Sequence, residues 1–180
     1  MEIYVDTEFI DTGVIIHPIS IALVREDGKE YYGINQNQSV LLMAARDPWL
    51  RENVLSSMPL AQPIDPFHPV WDESHPDFIN VKNRTRIAID VNNFIQDTLA
   101  PSLWAWYSSY DMVVLAQLFG KFMHIPHGVP MRMNDVAQEA ERLRVYVPSM
   151  PGLDKHNALS DAREVKYRRE WLKNYEEGRS

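Results

Sequence analysis

Two acidic side chains near the start of the sequence are spaced to bind a metal ion together. Asp6 and Glu8 lie in the segment MEIYVDTEFI, whose β-branched and aromatic residues predict a strand. Side chains two residues apart in a strand point to the same face of the sheet. Burying two like charges is unfavourable unless a cation neutralises them, and Mg²⁺ and Mn²⁺ prefer carboxylate oxygens. The pair therefore predicts a divalent metal site, although acids at a solvated strand end would have the same spacing.

Three later residues would complete such a site. Asp111 follows the apolar segment LWAWY at 103–107 and falls in the first turn of a predicted helix, where a carboxylate also stabilises the helix dipole. His156 and Asp161 open the last predicted helix, in the segment HNALSDA. Each residue alone has an ordinary explanation as a cap or a solvated side chain. Because ligand sites collect at the carboxyl ends of strands in open α/β sheets, Asp111 is the residue expected to approach the pair.

The elements that would position these residues form an α/β sheet. Strands are predicted at residues 2–9, 17–24 and 30–35, with Asp27-Gly28 as the turn of a hairpin, so they form an antiparallel meander. Alternating elements follow: a helix after Asn83, the strand 103–107, a helix at 109–122, a short strand at 129–134, a helix capped by Asn134 or Asp135 and running to about 144, and the last helix from about 156. This order predicts a mixed five-stranded sheet, an antiparallel meander followed by parallel strands, with helices on both faces.

The segment 36–82 is predicted to be an irregular, proline-rich insertion with one short helix near 48–56. A segment of this length is either a packed surface excursion or a lid over the substrate, and the sequence leaves both open. No linker interrupts the remainder, so residues 1–180 are predicted to form a single domain.

Composition excludes several classes of protein. The chain has no cysteine, which rules out disulfides and cysteine zinc sites, and no apolar run or signal peptide, so the cytoplasm is the expected location and no membrane partner is predicted. A formal charge of -7 argues against a protein that coats nucleic acid duplexes. It is compatible with an enzyme whose acidic site binds metal ions and a short single-stranded end.

In this order, Asp6, Glu8, Asp111, His156 and Asp161 resemble the motifs of the DEDD superfamily of 3′→5′ exonucleases. That superfamily includes RNase T, oligoribonuclease and the proofreading subunits of DNA polymerases. The resemblance covers essentially the whole chain and implies an RNase H-like fold. It also implies that the four carboxylates hold two Mg²⁺ ions, that Mn²⁺ can substitute, and that His156 acts as the general base in releasing nucleoside 5′-monophosphates.

The residue four positions before Asp161 indicates which subgroup of the DEDD superfamily the chain resembles. A tyrosine subgroup would have Tyr there, whereas this chain has Asn157, so the histidine subgroup is the better match. The segments YVDTEFID, EDGKEYY, LWAWYSSYD and HNALSDAR further resemble RNase AS, the polyadenylate-specific 3′-exoribonuclease family. This resemblance implies a substrate of single-stranded RNA with an adenylate tail.

Substrate contacts are predicted at Thr7, Phe9 and Trp106. Proteins that bind single strands stack bases on aromatic rings, and Phe9 follows Glu8 directly, while Trp106 precedes Asp111 closely. Packing in the core is the alternative for each aromatic. Backbone groups of Thr7 or Phe9 would contact the terminal nucleotide, as the resemblance suggests.

The resemblance to RNase T also implies a homodimer, in which a basic surface helps to bind the substrate of the other subunit. A basic run in the last helix could guide RNA, or could be an ordinary solvated face: it comprises Arg163, Lys166, Arg168, Arg169 and Lys173.

Other activities remain compatible with the same residues. One is a 3′→5′ exonuclease for single-stranded DNA, or an oligoribonuclease, because the sequence does not identify the group that reads the 2′-hydroxyl. Another is an inactive RNA-end-binding adaptor. An adaptor would tolerate loss of a ligand or the base, and all five positions are intact.

Overall fold

A mixed sheet of six strands lies at the centre of the structure, a computed structural model that describes residues 1–153 and 155–178. The strand order is β4-β3-β2-β1-β5-β6. The strands are β1 (Glu2–Asp11), β2 (Ile16–Arg25), β3 (Glu30–Asn35), β4 (Val81–Lys82), β5 (Ser102–Ala105) and β6 (Asn134–Asp135).

The topology is the predicted one, with one additional strand. β1, β2 and β3 form an antiparallel meander, and β5 lies parallel to β1, so β1 is central. The sixth strand is β4, two residues that pair in parallel with the end of β3. The strand predicted at 129–134 forms only at its last position, because the pairing with β5 is confined to residues 134–135.

Helices cover both faces of the sheet, as predicted. They are α1 (Gln38–Arg46), α2 (Pro48–Asn53), α3 (Arg84–Gln96), α4 (Ser109–Leu118), α5 (Val136–Leu143) and α6 (Ala158–Glu177). Alternate residues of β1 pack on opposite sides, since Tyr4 joins the core under α1, α2, α5 and α6, whereas Ile3 and Val5 join the core under α3 and α4. None of the described helices has the length and apolar character needed to cross a membrane.

The segment 36–82 is more regular than predicted. It contains α1, α2 and short 3₁₀ helices at Leu55–Ser57 and Pro76–Asn80. The prediction of an irregular segment is wrong for α1, because Asn37 caps the first backbone N–H groups and the buried Leu41 and Ala44 face the core. The first half of the segment is therefore a packed layer over the sheet.

One helix end differs slightly from prediction, and one helix start agrees with it. α4 ends at Leu118 and not at 122, and Gly120, with a φ of 96°, follows in the left-handed conformation that terminates helices. Asp135 caps α5, as one of the two predicted alternatives, by accepting hydrogen bonds from the backbone N–H groups of Ala137 and Gln138.

Candidate active site

The second half of β1 carries the first two acids. Asp6 and Glu8 lie opposite Ala22 and Ser20 of β2, and both acids are half-buried. The register between the two strands shifts just after Glu8, which marks the point where regular pairing is interrupted. Both acids are thus fixed by a central strand, as the sequence predicts, and their spacing is set by the pleat.

Asp111 enters from the first turn of α4 and is buried. The hydroxyl of Thr7, on β1 between the two acids, donates a hydrogen bond of 2.7 Å to Oδ1 of Asp111. The start of α4 is also held by Asp135, whose carboxylate accepts the backbone N–H of Ser108 at 2.9 Å. The first hydrogen bond therefore joins β1 to the start of α4, and the second joins the start of α4 to the end of β6; sequence spacing revealed neither.

His156 and Asp161 lie at the start of α6, which packs on β1 and β2. The backbone N–H of His156 donates a hydrogen bond of 2.8 Å to Oδ2 of Asp161. His156 has a φ of 62°, so the chain reverses there before Asn157 caps the helix. Glu8, His156 and Asp161 each offer one ligand atom, and these atoms lie within 4.8 Å of one another.

The acids strongly influence one another. Burial, followed by the charges of Asp161 and Asp111, raises the pKa of Glu8 to about 8. Burial likewise raises the pKa of Asp111 to about 7, although the hydrogen bond from Thr7 opposes this shift. Burial and the charge of Asp111 raise the pKa of Asp6 well above its ordinary value.

Burial and the mutual repulsion of the acids both disfavour the charged carboxylates of this cluster. Within residues 1–153 and 155–178, no salt bridge reaches Asp6, Glu8 or Asp111. Converging carboxylate oxygens with unbalanced negative charge are the donor set that hard divalent cations bind. The arrangement fits the predicted metal ions on this chemical ground.

A cavity of about 350 Å³ opens beside these residues, and we call it the catalytic cavity. Its lining includes Asp6, His156, Asp161, Trp106 and Arg168. It therefore brings together three predicted site residues and one of the predicted substrate-binding aromatics.

The three predicted substrate contacts have different surroundings. Trp106 lines the catalytic cavity, and the guanidinium of Arg168 lies 4.0 Å from the centre of its ring. Phe9 is half-buried and stacks on Tyr110, with ring centroids 5.2 Å apart and an interplanar angle of 9°. Thr7 is buried and directs its hydroxyl to Asp111, so its side chain supports the acidic cluster.

The basic run of α6 is largely neutralised within the chain. Arg163 pairs with Glu30, and Arg168 pairs with Glu164. Arg169 and Lys173 both pair with Glu2 of β1. Since acids of this chain neutralise these cations, the run chiefly anchors α6 to the sheet.

Sequence reasoning missed two neighbours of the site. Trp49 of α2 contacts the ring of His156, and the Arg168–Glu164 pair lines the catalytic cavity. The i,i+4 spacing of Arg and Glu in α6 was a usable signal for that ion pair. No local pattern pointed to the contact of Trp49.

The fold resembles that of an exonuclease. It is similar to the crystal structure of Escherichia coli exonuclease I in complex with a dA16 oligonucleotide, with a TM-score of 0.52 and 12% sequence identity. The match covers 97% of this chain and 42% of the exonuclease I chain. At this identity the similarity concerns the fold.

The sequence comparisons define the family. Residues 1–170 match the family described as the 3′-5′ exoribonuclease Rv2179c-like domain, and the chain belongs to this family. Two relatives from Mycobacterium tuberculosis strains, the 3′-5′ exoribonucleases Rv2179c and MT2234.1, are each 34% identical to it over 167 residues. These alignments cover 91% of this chain and 88% of each relative.

Proposed function

We propose that the protein is a 3′→5′ exoribonuclease that removes nucleoside 5′-monophosphates from the 3′ ends of single-stranded RNA. The observation that carries this proposal is the clustering of Glu8, Asp161 and His156, with Asp6 on the same strand and Asp111 beside it. Membership of the Rv2179c-like family, whose relatives are named 3′-5′ exoribonucleases, supports it.

Asp6, Glu8, Asp111 and Asp161 would hold two Mg²⁺ ions, for which Mn²⁺ could substitute. The donors are carboxylate oxygens, which suit these ions, and a bound cation would stabilise the charged forms of Asp6 and Glu8, whose pKa values are raised by burial. When bound, the ions supply positive charge that stabilises the transition state and lowers the pKa of a nearby water.

His156 would act as the general base, as in the histidine subgroup of DEDD exonucleases. Its side chain lines the catalytic cavity, and its backbone is fixed by the hydrogen bond to Asp161. The imidazole accepts a proton from the attacking water as the water oxygen bonds to phosphorus. The bond from phosphorus to the 3′ oxygen of the preceding nucleotide breaks, so a 5′-monophosphate leaves and a new 3′ hydroxyl remains on the RNA.

Substrate binding would use Phe9, Trp106 and the backbone of Thr7. Phe9 follows Glu8 and Trp106 lines the catalytic cavity, so both aromatics lie close to where the terminal nucleotide would be hydrolysed. Aromatic rings stack on any base, so a preference for adenylate tails of the RNase AS kind would need additional contacts to the base edge.

The remaining proposals concern the domain content, the cellular location and the oligomeric state of the protein. Residues 1–180 would act as one exonuclease domain in the cytoplasm, and the active form would be a homodimer. Sedimentation equilibrium measures the mass directly, and a mass of 20.9 kDa at working concentration would contradict the dimer.

A digestion panel tests the activity. The substrates are 5′-labelled RNA oligonucleotides with A, C, G or U tails and DNA strands of matched sequence, with Mg²⁺, Mn²⁺ or EDTA. The proposal expects ladders that shorten from the 3′ end, metal-dependent release of 5′-monophosphates and faster digestion of RNA than DNA. Internal cleavage or release of 3′-monophosphates would contradict it.

A further inference from the structure

A second groove adjoins the catalytic cavity, and we call it the side groove. It has a volume of about 450 Å³, and its lining includes Tyr107, Arg144, Tyr146, Trp106 and Arg168. Trp106 and Arg168 also line the catalytic cavity. The two spaces are therefore neighbours that share these two side chains.

The wall between the two spaces is held firmly. The guanidinium of Arg168 lies 4.0 Å from the ring centre of Trp106 and donates to Oε1 of Glu164 at 2.6 Å. The side chains of Arg168 and Glu164 are only 14% and 10% exposed. A buried, charge-assisted hydrogen bond keeps the guanidinium stacked on the indole, so the shape of the side groove is formed in advance.

The outer lining of the side groove carries two exposed aromatic rings. Tyr107 is 68% exposed and Tyr146 is 86% exposed. Tyr107 has a φ of 58°, a conformation that is uncommon for a residue other than glycine. Proteins that bind single-stranded nucleic acid stack bases on aromatic rings, and these two exposed rings are available for such stacking.

One arginine of the side groove is placed to contact an anionic chain. The charged residues of the lining are Glu141, Arg144 and Arg168, and the charge of Arg168 is neutralised by Glu164. None of the salt bridges of the described residues involves Arg144, so its guanidinium can approach a phosphodiester.

We propose that the side groove is a second nucleotide subsite, which binds an upstream nucleotide of the same RNA strand whose 3′ end lies in the catalytic cavity. Tyr107 and Tyr146 stack on the base, and Arg144 contacts the phosphodiester. The inference rests on the proposed function, because it needs a single strand in the catalytic cavity. It predicts that the protein binds longer oligonucleotides more tightly than dinucleotides.

The first test compares dissociation constants for a labelled dinucleotide and a labelled hexanucleotide. Fluorescence anisotropy is measured with Ca²⁺ in place of Mg²⁺, and the RNA is checked afterwards to be intact. The Kd for the dinucleotide divided by the Kd for the hexanucleotide should fall about tenfold in Tyr146→Ala and in Tyr107→Ala, because the longer strand loses a stacking platform. Tyr146→Phe, which keeps the ring, should retain the wild-type ratio. The control Phe122→Ala removes another exposed ring, 49% exposed, outside both spaces.

The second test locates the base that stacks. Hexanucleotides with a single abasic position, moved one step at a time from the third nucleotide counted from the 3′ end, are titrated with wild-type protein and Tyr146→Ala. One abasic position should weaken binding to wild-type protein about as much as Tyr146→Ala weakens binding of the intact strand. When Tyr146→Ala is combined with that abasic strand, the loss of affinity should be no larger than either loss alone. Additive losses at every position, or an unchanged ratio in the alanine variants, would overturn the subsite. So would an equal loss in Tyr146→Phe, since that result would assign the effect to the hydroxyl.

The same measurements distinguish failure of the subsite from failure of the proposed exonuclease function. If wild-type protein binds the hexanucleotide but releases no 5′-monophosphate with Mg²⁺, the exonuclease proposal fails while the binding ratios still decide the subsite. If wild-type protein binds both lengths equally, the subsite is overturned even when both are degraded.

Discussion

The indole of Trp49 contacts the imidazole of His156 edge to face, with ring centroids 4.9 Å apart and an interplanar angle of 72°. Edge-to-face contacts of this kind are a favoured geometry for aromatic rings. Trp49 lies at the start of α2, where Pro48 follows the capping residue Asp47. Helix α2, in the segment 36–82, therefore restrains the imidazole ring of His156, the proposed general base, through the indole of Trp49.

The first prediction concerns this contact. Trp49→Ala should lower kcat by about three- to tenfold with little change in KM, because an aromatic pair contributes roughly 0.5–1.5 kcal/mol to holding the ring. Trp49→Phe should recover most of the rate. Phe67→Ala is the matched control, since Phe67 belongs to the same segment and is 64% exposed. An unchanged kcat in Trp49→Ala would show that the contact does not position His156.

The second prediction concerns the hydrogen bond between Thr7 and Asp111. Thr7→Val keeps the shape of the side chain but leaves the buried carboxylate without its 2.7 Å donor, so the pKa of Asp111 should rise further. The midpoint Mg²⁺ concentration for activity should increase about tenfold. Thr7→Ser keeps the hydroxyl and should stay near wild type. If Thr7→Val needs no more Mg²⁺ than Thr7→Ser, the hydrogen bond does not support metal binding.

The third prediction is a pH dependence of stability in metal-free protein. The pKa of Glu8 is raised from an ordinary value of 4.5 to about 8, and that of Asp111 from 3.8 to about 7. The folded state therefore holds protons more tightly than the unfolded chain. This stabilisation is complete below about pH 4 and is lost as the pH rises through 7–8.

Thermal melts in EDTA should consequently show Tm falling by roughly 5 °C between pH 5.5 and 8.5, and Mg²⁺ should restore more stability at the higher pH. Glu8→Gln removes one of the titrating groups and should flatten the profile. A Tm that rises with pH in EDTA, or a profile equally steep in Glu8→Gln, would contradict the raised pKa values.

The fourth prediction concerns Phe9, whose ring stacks on Tyr110 at a centroid distance of 5.2 Å. Phe9→Ala should raise KM for single-stranded RNA about tenfold, since a base would lose its stacking partner. Tyr110→Ala, which removes only the supporting ring, should raise KM less. A KM for Phe9→Ala equal to that of wild type would assign Phe9 to packing alone.

Local patterns explain why much of the fold could be predicted from sequence. The alternation of β1, the Asp27-Gly28 turn and the spacing of Ile87, Val91 and Phe94 each depend on residues close in the chain. Asp6 and Glu8 were recognisable because two acids in a strand are unusual. The remaining site residues were recognisable because the order of motifs along the chain is also a property of the sequence.

The rest depends on contacts between distant segments. Nothing near Trp49 indicates that its ring reaches His156, and nothing near Thr7 indicates its bond to Asp111. α1 was missed because the prolines that follow it suggested an irregular segment, whereas its own cap at Asn37 and its buried residues favour a helix. Tertiary packing decided each of these features.

The central claim is that the acidic cluster at the end of β1 carries out metal-dependent hydrolysis at the 3′ end of RNA. The most direct measurement is the Mg²⁺-dependent release of 5′-monophosphate from 3′-labelled single-stranded RNA by wild-type protein and by Asp6→Asn. The account predicts steady release by the wild type and release by Asp6→Asn no faster than in an enzyme-free control, while far-UV circular dichroism shows that the variant is folded. Wild-type rates in a folded Asp6→Asn would contradict it.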